Sequence, residues 1–232
     1  MTTQAVNAIV GNSKMSRSFT DTATDGVFQS NLMLSSLSGT NLGLEMPGEV
    51  IDFVSVEYTA GACLWRIQDS NSLKTERIGF ATKAGGTCYS STKIAPFKVK
   101  PTSLLQVYPM AVASASNDTV CLAWVSTNKG PEPFGVTTSA DATLTEMTSL
   151  ISSMTLGDYA FGQILTSVTL QCEDGATLPS IAILNQTAGT EYQQKGTTRQ
   201  QAGSISNYYN LKVNVNIPIQ KGWSLKVAAT SA

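Results

Sequence analysis

Val50-Ile-Asp-Phe-Val-Ser-Val-Glu-Tyr58 sets the reading of the whole chain. Val50, Asp52, Val54, Val56 and Tyr58 alternate with Ile51, Phe53, Ser55 and Glu57, the period of two that suits a strand with one face on a core. Thr59-Ala-Gly61 follows as a turn, Ala62 to Gln68 as a second strand, Asp69-Ser-Asn-Ser72 as a second turn, and Arg77 to Thr82 as a third strand ended by Lys83-Ala-Gly-Gly86. Asp, Asn, Ser and Gly bond their own backbone or tolerate positive φ, so these spacings predict antiparallel hairpins.

Working outward, Lys93 to Lys100, Leu104 to Tyr108 and Val112 to Ala115 read as shorter strands, and Asn117-Asp118 turns the chain into a strong strand, Thr119 to Thr127. Gly130-Pro-Glu-Pro133 is expected to stop the sheet. Between Ser139 and Gly157 the period changes. Leu144, Met147, Ile151 and Met154 fall at helical spacing, Thr143 with Glu146 fits a capping box, and Gly157 is placed to end a helix over about 143–156. Phe161 to Cys172, Ser180 to Leu184, Tyr208 to Asn216 and Trp223 to Ala228 then form a second β set. Met1 to Gly48 is rich in Ser, Thr, Asn and Gly and lacks a sustained period, which predicts an extended N-terminal arm anchored by Val27, Phe28 and Leu32-Met-Leu34.

The expected fold is therefore mainly β, an antiparallel β-sandwich or jelly-roll-like body with one short helix and the arm. Its divisions are an arm at 1–48, a first β set at 49–134, a linker with the helix at 135–158, and a second β set at 159–232, which can close with the first into one sandwich. Val54-x-Val56 and Val168-x-Leu170 each precede a turn and a short apolar strand, and the strand from Thr119 loosely matches the one from Trp223. The spacing drifts from 114 residues at the first match to 103 at Leu122 and Leu225, which leaves only a faint repeat.

Composition narrows function more than any motif does. The 232 residues hold 15 Lys plus Arg, 16 Asp plus Glu and no histidine. Without an imidazole there is no Ser/His/Asp or Cys/His relay, no His-liganded zinc and no base naturally poised near neutral pH. With four arginines and a net charge of −1, the chain lacks the clustered basic excess of a nucleic-acid binder. Instead 54 Ser plus Thr and 24 Asn plus Gln make a polar but uncharged chain.

Cys63, Cys88, Cys121 and Cys172 contain no CxxC pair, which argues against a four-cysteine zinc site. Cys63 and Cys121 lie in apolar runs and are expected to pack as small hydrophobes. No signal peptide or membrane span is expected, since no basic region precedes an apolar stretch and no window approaches 18 apolar residues. The protein is therefore expected to be made and used in a cytoplasm, or to leave it by lysis or by assembly into something larger.

Several constellations compete with plainer readings. Asp52, Glu57, Asp69, Glu173 and Asp174 are the carboxylates from which a glycan hydrolase would draw its pair, with Trp65, Trp124 and Tyr58 as a cleft wall, although Asp69 and Glu173-Asp174-Gly175 also suit ordinary turns. Asp21 and Asp25, with hydroxyls between them, outline a weak calcium pattern. Gly85-Gly86 and the Gly189 to Gly203 region lack phosphate-binding spacing. Tyr192, Tyr208, Tyr209 and Trp223 could form a carbohydrate platform. The polar stretch Glu191 to Ser206 carries Gln193, Gln194, Gln200 and Gln201 around Lys195 and Arg199, which suits hydrogen bonding across a partner surface. No catalytic, cofactor or metal residue is assigned; the candidate interface is Phe28, Leu32, Leu34, Gln193, Gln194, Arg199, Gln200 and Gln201.

The closing run Asn216-Ile-Pro-Ile-Gln-Lys-Gly-Trp-Ser-Leu-Lys-Val227, with the polar arm and the Ser/Thr/Ala surplus, resembles small β-rich virion proteins of tailed bacteriophages, of the capsid cement or decoration type. The resemblance lies in texture along the chain and carries over no functional residue. It implies a non-enzymatic viral structural protein on the capsid surface, homo-oligomeric with a trimer favoured. Its arm and loops would clamp neighbouring major capsid subunits or other virion subunits, with no nucleic acid, membrane or cofactor involved. The alternative is a tail or fibre component, or a β-sandwich adhesin, that recognises a surface glycan.

Overall fold

A computed structural model describes residues 3–24, 31–58, 62–81, 83–84, 87–110, 119–138, 144–172, 176–185, 190–194 and 209–231. The chain is mainly β, and it divides into two compact units, Met1–Ala111 and Val112–Ala232. The first unit runs β1 (Thr3–Gly11), β2 (Ser16–Thr24), β3 (Asn31–Leu32), β4 (Leu34–Ser35), α1 (Leu42–Glu45), β5 (Val50–Tyr58), β6 (Ala62–Asp69), β7 (Thr75–Ala81), β8 (Lys83–Ala84), β9 (Thr87–Lys98) and β10 (Ser103–Met110). These form two antiparallel sheets, β4-β2-β1-β5-β9-β8 and β3-β10-β6-β7. The second unit runs β11 (Thr119–Thr127), β12 (Gly130–Thr138), β13 (Thr145–Glu146), β14 (Thr148–Ser149), α2 (Leu156–Tyr159), β15 (Ile164–Cys172), β16 (Ala176–Asn185), β17 (Thr190–Gln194), β18 (Tyr209–Pro218) and β19 (Trp223–Ser231). Its sheets are β14-β12-β11-β15-β18 and β13-β19-β16-β17.

These two orders are the same order. Among the described residues, every element of the first unit except β8 has a counterpart at the same place in the same sheet of the second. Phe19 of β2 faces Ser35 of β4 as Phe134 of β12 faces Ser149 of β14, and Val54 of β5 pairs with Val10 as Val168 of β15 pairs with Val125. Met33 N–H donates to Leu105 C=O, and Met147 N–H to Leu225 C=O, so both units bridge their two sheets through one buried methionine. Leu42 and Leu156 open the two helices 114 residues apart, the same offset that the Val54 and Val168 match shows in sequence. The expected pairing of the Thr119 strand with the Trp223 strand was the source of the drift: β19 corresponds to β10, and β11 to β1.

Each unit has its own core. Val6, Ala8, Val10, Phe19, Val54, Val56, Trp65, Ile67 and Leu105 lie in the first, and Cys121, Ala123, Val125, Phe134, Leu165, Val168, Leu170, Trp223 and Leu225 in the second. Cys63 and Cys121 are buried, packed as small apolar groups.

Three expectations are corrected. The segment expected to be an extended arm instead supplies β1 and β2, and β1 lies inside the six-stranded sheet between β2 and β5, with Val6, Ala8 and Val10 alternating into the core. Met33 anchors this segment, while Leu32 and Leu34 on either side are exposed. The helix expected over 143–156 is absent; β13, β14 and a turn occupy its described part. The Ser149 hydroxyl accepts from the Ile151 and Ser152 N–H groups, and Ser153 takes φ +59, a left-handed conformation that ends any helix. Finally, Gly130-Pro-Glu-Pro133 begins β12 instead of ending the sheet. Pro131 and Pro133 sit opposite Ser126 and Trp124, while β14 borders β12 only at Phe134 and Gly135, so the missing N–H groups fall along an edge.

The decisive strand also departs from simple alternation. A bulge between Ile51 and Phe53 turns Ile51 inward and leaves Val50 exposed, and the same bulge recurs between Leu165 and Ser167, leaving Ile164 exposed.

Candidate functional site

The described connections at one end of the first unit's sandwich match, one for one, those at the corresponding end of the second unit's. In the first unit these are the turn from Asn12 to Met15, the loop from β4 through α1 to β5, the β6–β7 turn and the β9–β10 turn. The loop is built by local hydrogen bonding. The Ser35 hydroxyl accepts from Leu37 and Ser38 N–H, Gly39 N–H donates to Ser35 C=O, and Ser35 N–H donates to Thr40 C=O. Gly39 takes φ +70, which glycine adopts without strain. The Asn41 side chain then caps α1 by accepting from Leu44 N–H. In the second unit Ser149 repeats the Ser35 role, Ser153 N–H donates to Ser149 C=O, and Ser149 N–H donates to Met154 C=O.

Each helix is pressed against a turn. A Cβ on Gly43 would lie 2.4 Å from Pro101 O and 2.6 Å from Lys100 O, and one on Gly157 would lie 2.5 Å from Trp223 N. Beyond the helix, Gly48 N–H donates to Val99 C=O, as Gly162 N–H does to Ile219 C=O. Chain direction is thus fixed twice by one set of bonds. Corresponding positions then show solvent an apolar side chain in both units. Leu37, 88% exposed, answers to Ile151; Val50 answers to Ile164; Pro47 answers to Phe161, 65% exposed. The sequence marks none of the six as a surface: Val50 and Ile151 count there toward a strand and a helix, the others fall in the stretch read as an arm or within a strand, and only the duplication brings them together.

In the first unit this end also carries a pocket of about 470 Å3 lined by Pro47, Gly48, Lys98, Val99, Lys100 and Pro101. Lys100 Nζ donates to Glu76 Oε1 at 2.8 Å and to Asp69 Oδ2 at 3.2 Å. These two carboxylates raise the Lys100 pKa, Glu76 contributing most. The Asn71 N–H, followed by the Lys100 ammonium, lowers that of Asp69. Glu45 pairs with Arg17 at 3.5 Å. The Ser38 hydroxyl, with less from Thr40, Ser35 and Arg17, holds its carboxyl below the usual range against the burial that would raise it. Asp69 and Glu45 are thus held in their charged form, the opposite of what a general acid requires.

The other sequence candidates do not converge on chemistry. Trp65 and Trp124 are fully buried, Trp223 is in the core, and none can serve as a cleft wall or sugar platform. Arg66, 7% exposed, donates to Gln106 Oε1 at 2.8 Å and Gln68 Oε1 at 3.1 Å and lies 5.4 Å over the Tyr108 ring, a structural cluster on β6 and β10. Asp21 sits in β2 opposite Val6, and Asp25, Glu173 and Asp174 lie outside the described residues. Among the described residues no group of three or more Cys, Asp or Glu could hold a metal ion. Of the candidate interface, Leu32 and Leu34 are exposed on different sheets of the first unit, facing Gln106 and Thr20 in register. Gln193 and Gln194 belong to β17 and pair along the backbone with Ala182 and Ile181 in the second unit. Phe28, Arg199, Gln200 and Gln201 lie outside the described residues. No helix among the described residues is long and apolar enough to cross a membrane. No protein-family model, curated protein or solved structure matches this chain.

Proposed function

We propose that the protein is a non-enzymatic structural component of a viral particle, a capsid cement or decoration protein that clamps neighbouring major capsid subunits as a homo-oligomer, a trimer favoured. The observation that carries this reading is the duplicated end surface. Two copies of one sandwich each present exposed apolar side chains from a loop fixed by the same hydrogen bonds, and in the first unit Glu45, Asp69 and Glu76 beside it are ion-paired or hydrogen-bonded. A protein that acts by contact gains from such repetition, because weak identical contacts sum over a lattice. Its sparse charge lets like subunits pack side by side with little repulsion and little desolvation. Burial of Trp223 takes one ring from the platform that the glycan-binding alternative would use.

The test is density-gradient separation of particles from a producing culture. The protein should travel with intact particles and stay bound in high salt, because apolar contacts are not screened. Its recovery wholly in the unassembled fraction would overturn the proposal.

A further inference from the structure

We propose that the first unit binds a carboxylate on the face of its β3-β10-β6-β7 sheet turned away from the core, through the Arg66 guanidinium and the Gln106 side-chain amide, beside the exposed Leu32. The site goes beyond the reading above, and its test uses no particles, so either can fail alone.

Trp65 and Ile67 belong to the core, so Arg66 and Gln68, which alternate with them, stand on the other face of β6; Leu105 and Val107 place Gln106 and Tyr108 likewise on β10. Leu32 is opposite Gln106 in register and is 38% exposed. Arg66 is 7% exposed, and among the described residues no carboxylate pairs with it. A buried charge needs a counter-charge or bonds that replace its hydration, and the groups that fix this one are neutral. Nε donates to Gln106 Oε1, Nη2 donates to Gln68 Oε1, and the Tyr108 ring lies 5.4 Å from the guanidinium carbon. A guanidinium has five N–H donors, and these bonds use two. Among the described residues Nη1 has no acceptor. Because Gln106 Oε1 receives the Arg66 bond, the amide orientation is fixed, and its Nε2 also has no acceptor among them. Neither nitrogen is sealed from solvent. The fork of Nη1 and Nη2 is therefore held in place with donors unspent, and such a fork matches the two oxygens of a carboxylate.

The second unit shows what this row of side chains lacks. Leu105 and Leu225 are equivalents, each accepting from a buried methionine N–H, so Gln106 answers to Lys226, Arg66 to Ala182 and Leu32 to Glu146. Each row carries one cation. In the second unit Glu146 stands directly across from Lys226, an acid built into the sheet. In the first unit the acid's position holds Leu32, and the ligand supplies the missing carboxylate. One cation among neutral amides matches a single negative charge better than a phosphate dianion. Leu32 adds an apolar flank for a ligand with a short aliphatic tail.

The experiment is saturation-transfer NMR on the full chain with isovalerate as the probe, at an ionic strength held constant by exchange against chloride. Wild type should bind the probe saturably in the millimolar range, as one charge-assisted contact allows. Arg66→Lys, which keeps the charge and loses the fork, should weaken binding about tenfold, and Gln106→Ala should weaken it as well. Leu32→Glu copies the second unit's arrangement, supplies the acid within the chain and should abolish binding. Lys226→Ala should leave binding unchanged. Far-UV circular dichroism checks each fold; should Arg66→Lys not fold, Leu32→Glu, at an exposed position, still decides. Wild type without saturable binding, Leu32→Glu or a folded Arg66→Lys that binds like wild type, or loss of binding in Lys226→Ala would each overturn the proposal. So would inorganic phosphate that displaces the probe at a lower concentration than the probe's own.

Discussion

Replacing Gly43 by alanine tests whether α1 is pressed against the β9–β10 turn as closely as described. On helix propensity alone the change should stabilise, since Gly is worse than Ala inside a helix by about 0.5–1 kcal/mol. The structure reverses the sign. The new Cβ would meet Pro101 O at 2.4 Å and both Lys100 O and Pro101 C at 2.6 Å, all backbone atoms, where ordinary contact begins at 3.4 Å. The helix must retreat by nearly an ångström, and Leu42 and Met46, both fully buried, would be drawn out of the core with it. Overpacking of this kind costs about 1–3 kcal/mol, and three backbone clashes place Gly43→Ala near the upper end. A loss of about 3 kcal/mol lowers the melting temperature of a unit this size by roughly 10 °C. Gly157→Ala, with contacts of 2.5 to 2.9 Å, should behave alike and slightly more mildly. Gly39→Ala is the control: its Cβ meets nothing within 4 Å, so only the φ +70 strain of about 1–2 kcal/mol remains. Calorimetry and urea unfolding at unchanged m-value read all three. A Gly43→Ala protein as stable as wild type would refute the close approach.

Ser35→Ala should cost about 1–2 kcal/mol by releasing two N–H groups and its contact with the half-buried Glu45, and Ser149→Ala more, since the carboxylate its hydroxyl reaches at 2.6 Å, Glu132, is buried; paired urea titrations decide the order. The pKa of Glu45 is lowered in the folded state, so its contribution is present above the ordinary carboxylate range near pH 4 and lost as pH falls through the lower folded value. Glu45→Gln should accordingly flatten the acid limb of the stability–pH curve, and an unchanged limb counts against the assignment. Trp223→Ala should cost about 3–5 kcal/mol as a core truncation; a variant that keeps wild-type melting but loses glycan binding would revive the adhesin alternative.

Much of the sheet was legible in the chain. The runs around Val50, Ala62, Thr119 and Trp223 carry period-two or continuous apolar patterns between turn residues, and each is a strand. What failed did so for physical reasons. Val6, Ala8 and Val10 alternate correctly, but a small alanine among polar neighbours gives a weak signal, and the strand is held by partners on both sides more than by its own pattern. The helical spacing of Leu144 to Met154 was overridden by one hydroxyl, Ser149, and one left-handed residue, Ser153. Gly157 is present for close approach to Trp223 and not to end a long helix. The end surface was hidden because exposure of Val50 and Ile164 depends on a bulge that no local pattern announces.

Copy number in purified particles tests the account most directly. Quantitative mass spectrometry, with the major shell protein as the internal standard, should find this chain at a fixed simple ratio to it in every preparation, as symmetry-related attachment requires. A trace amount, or a ratio that drifts between preparations, would contradict a structural role.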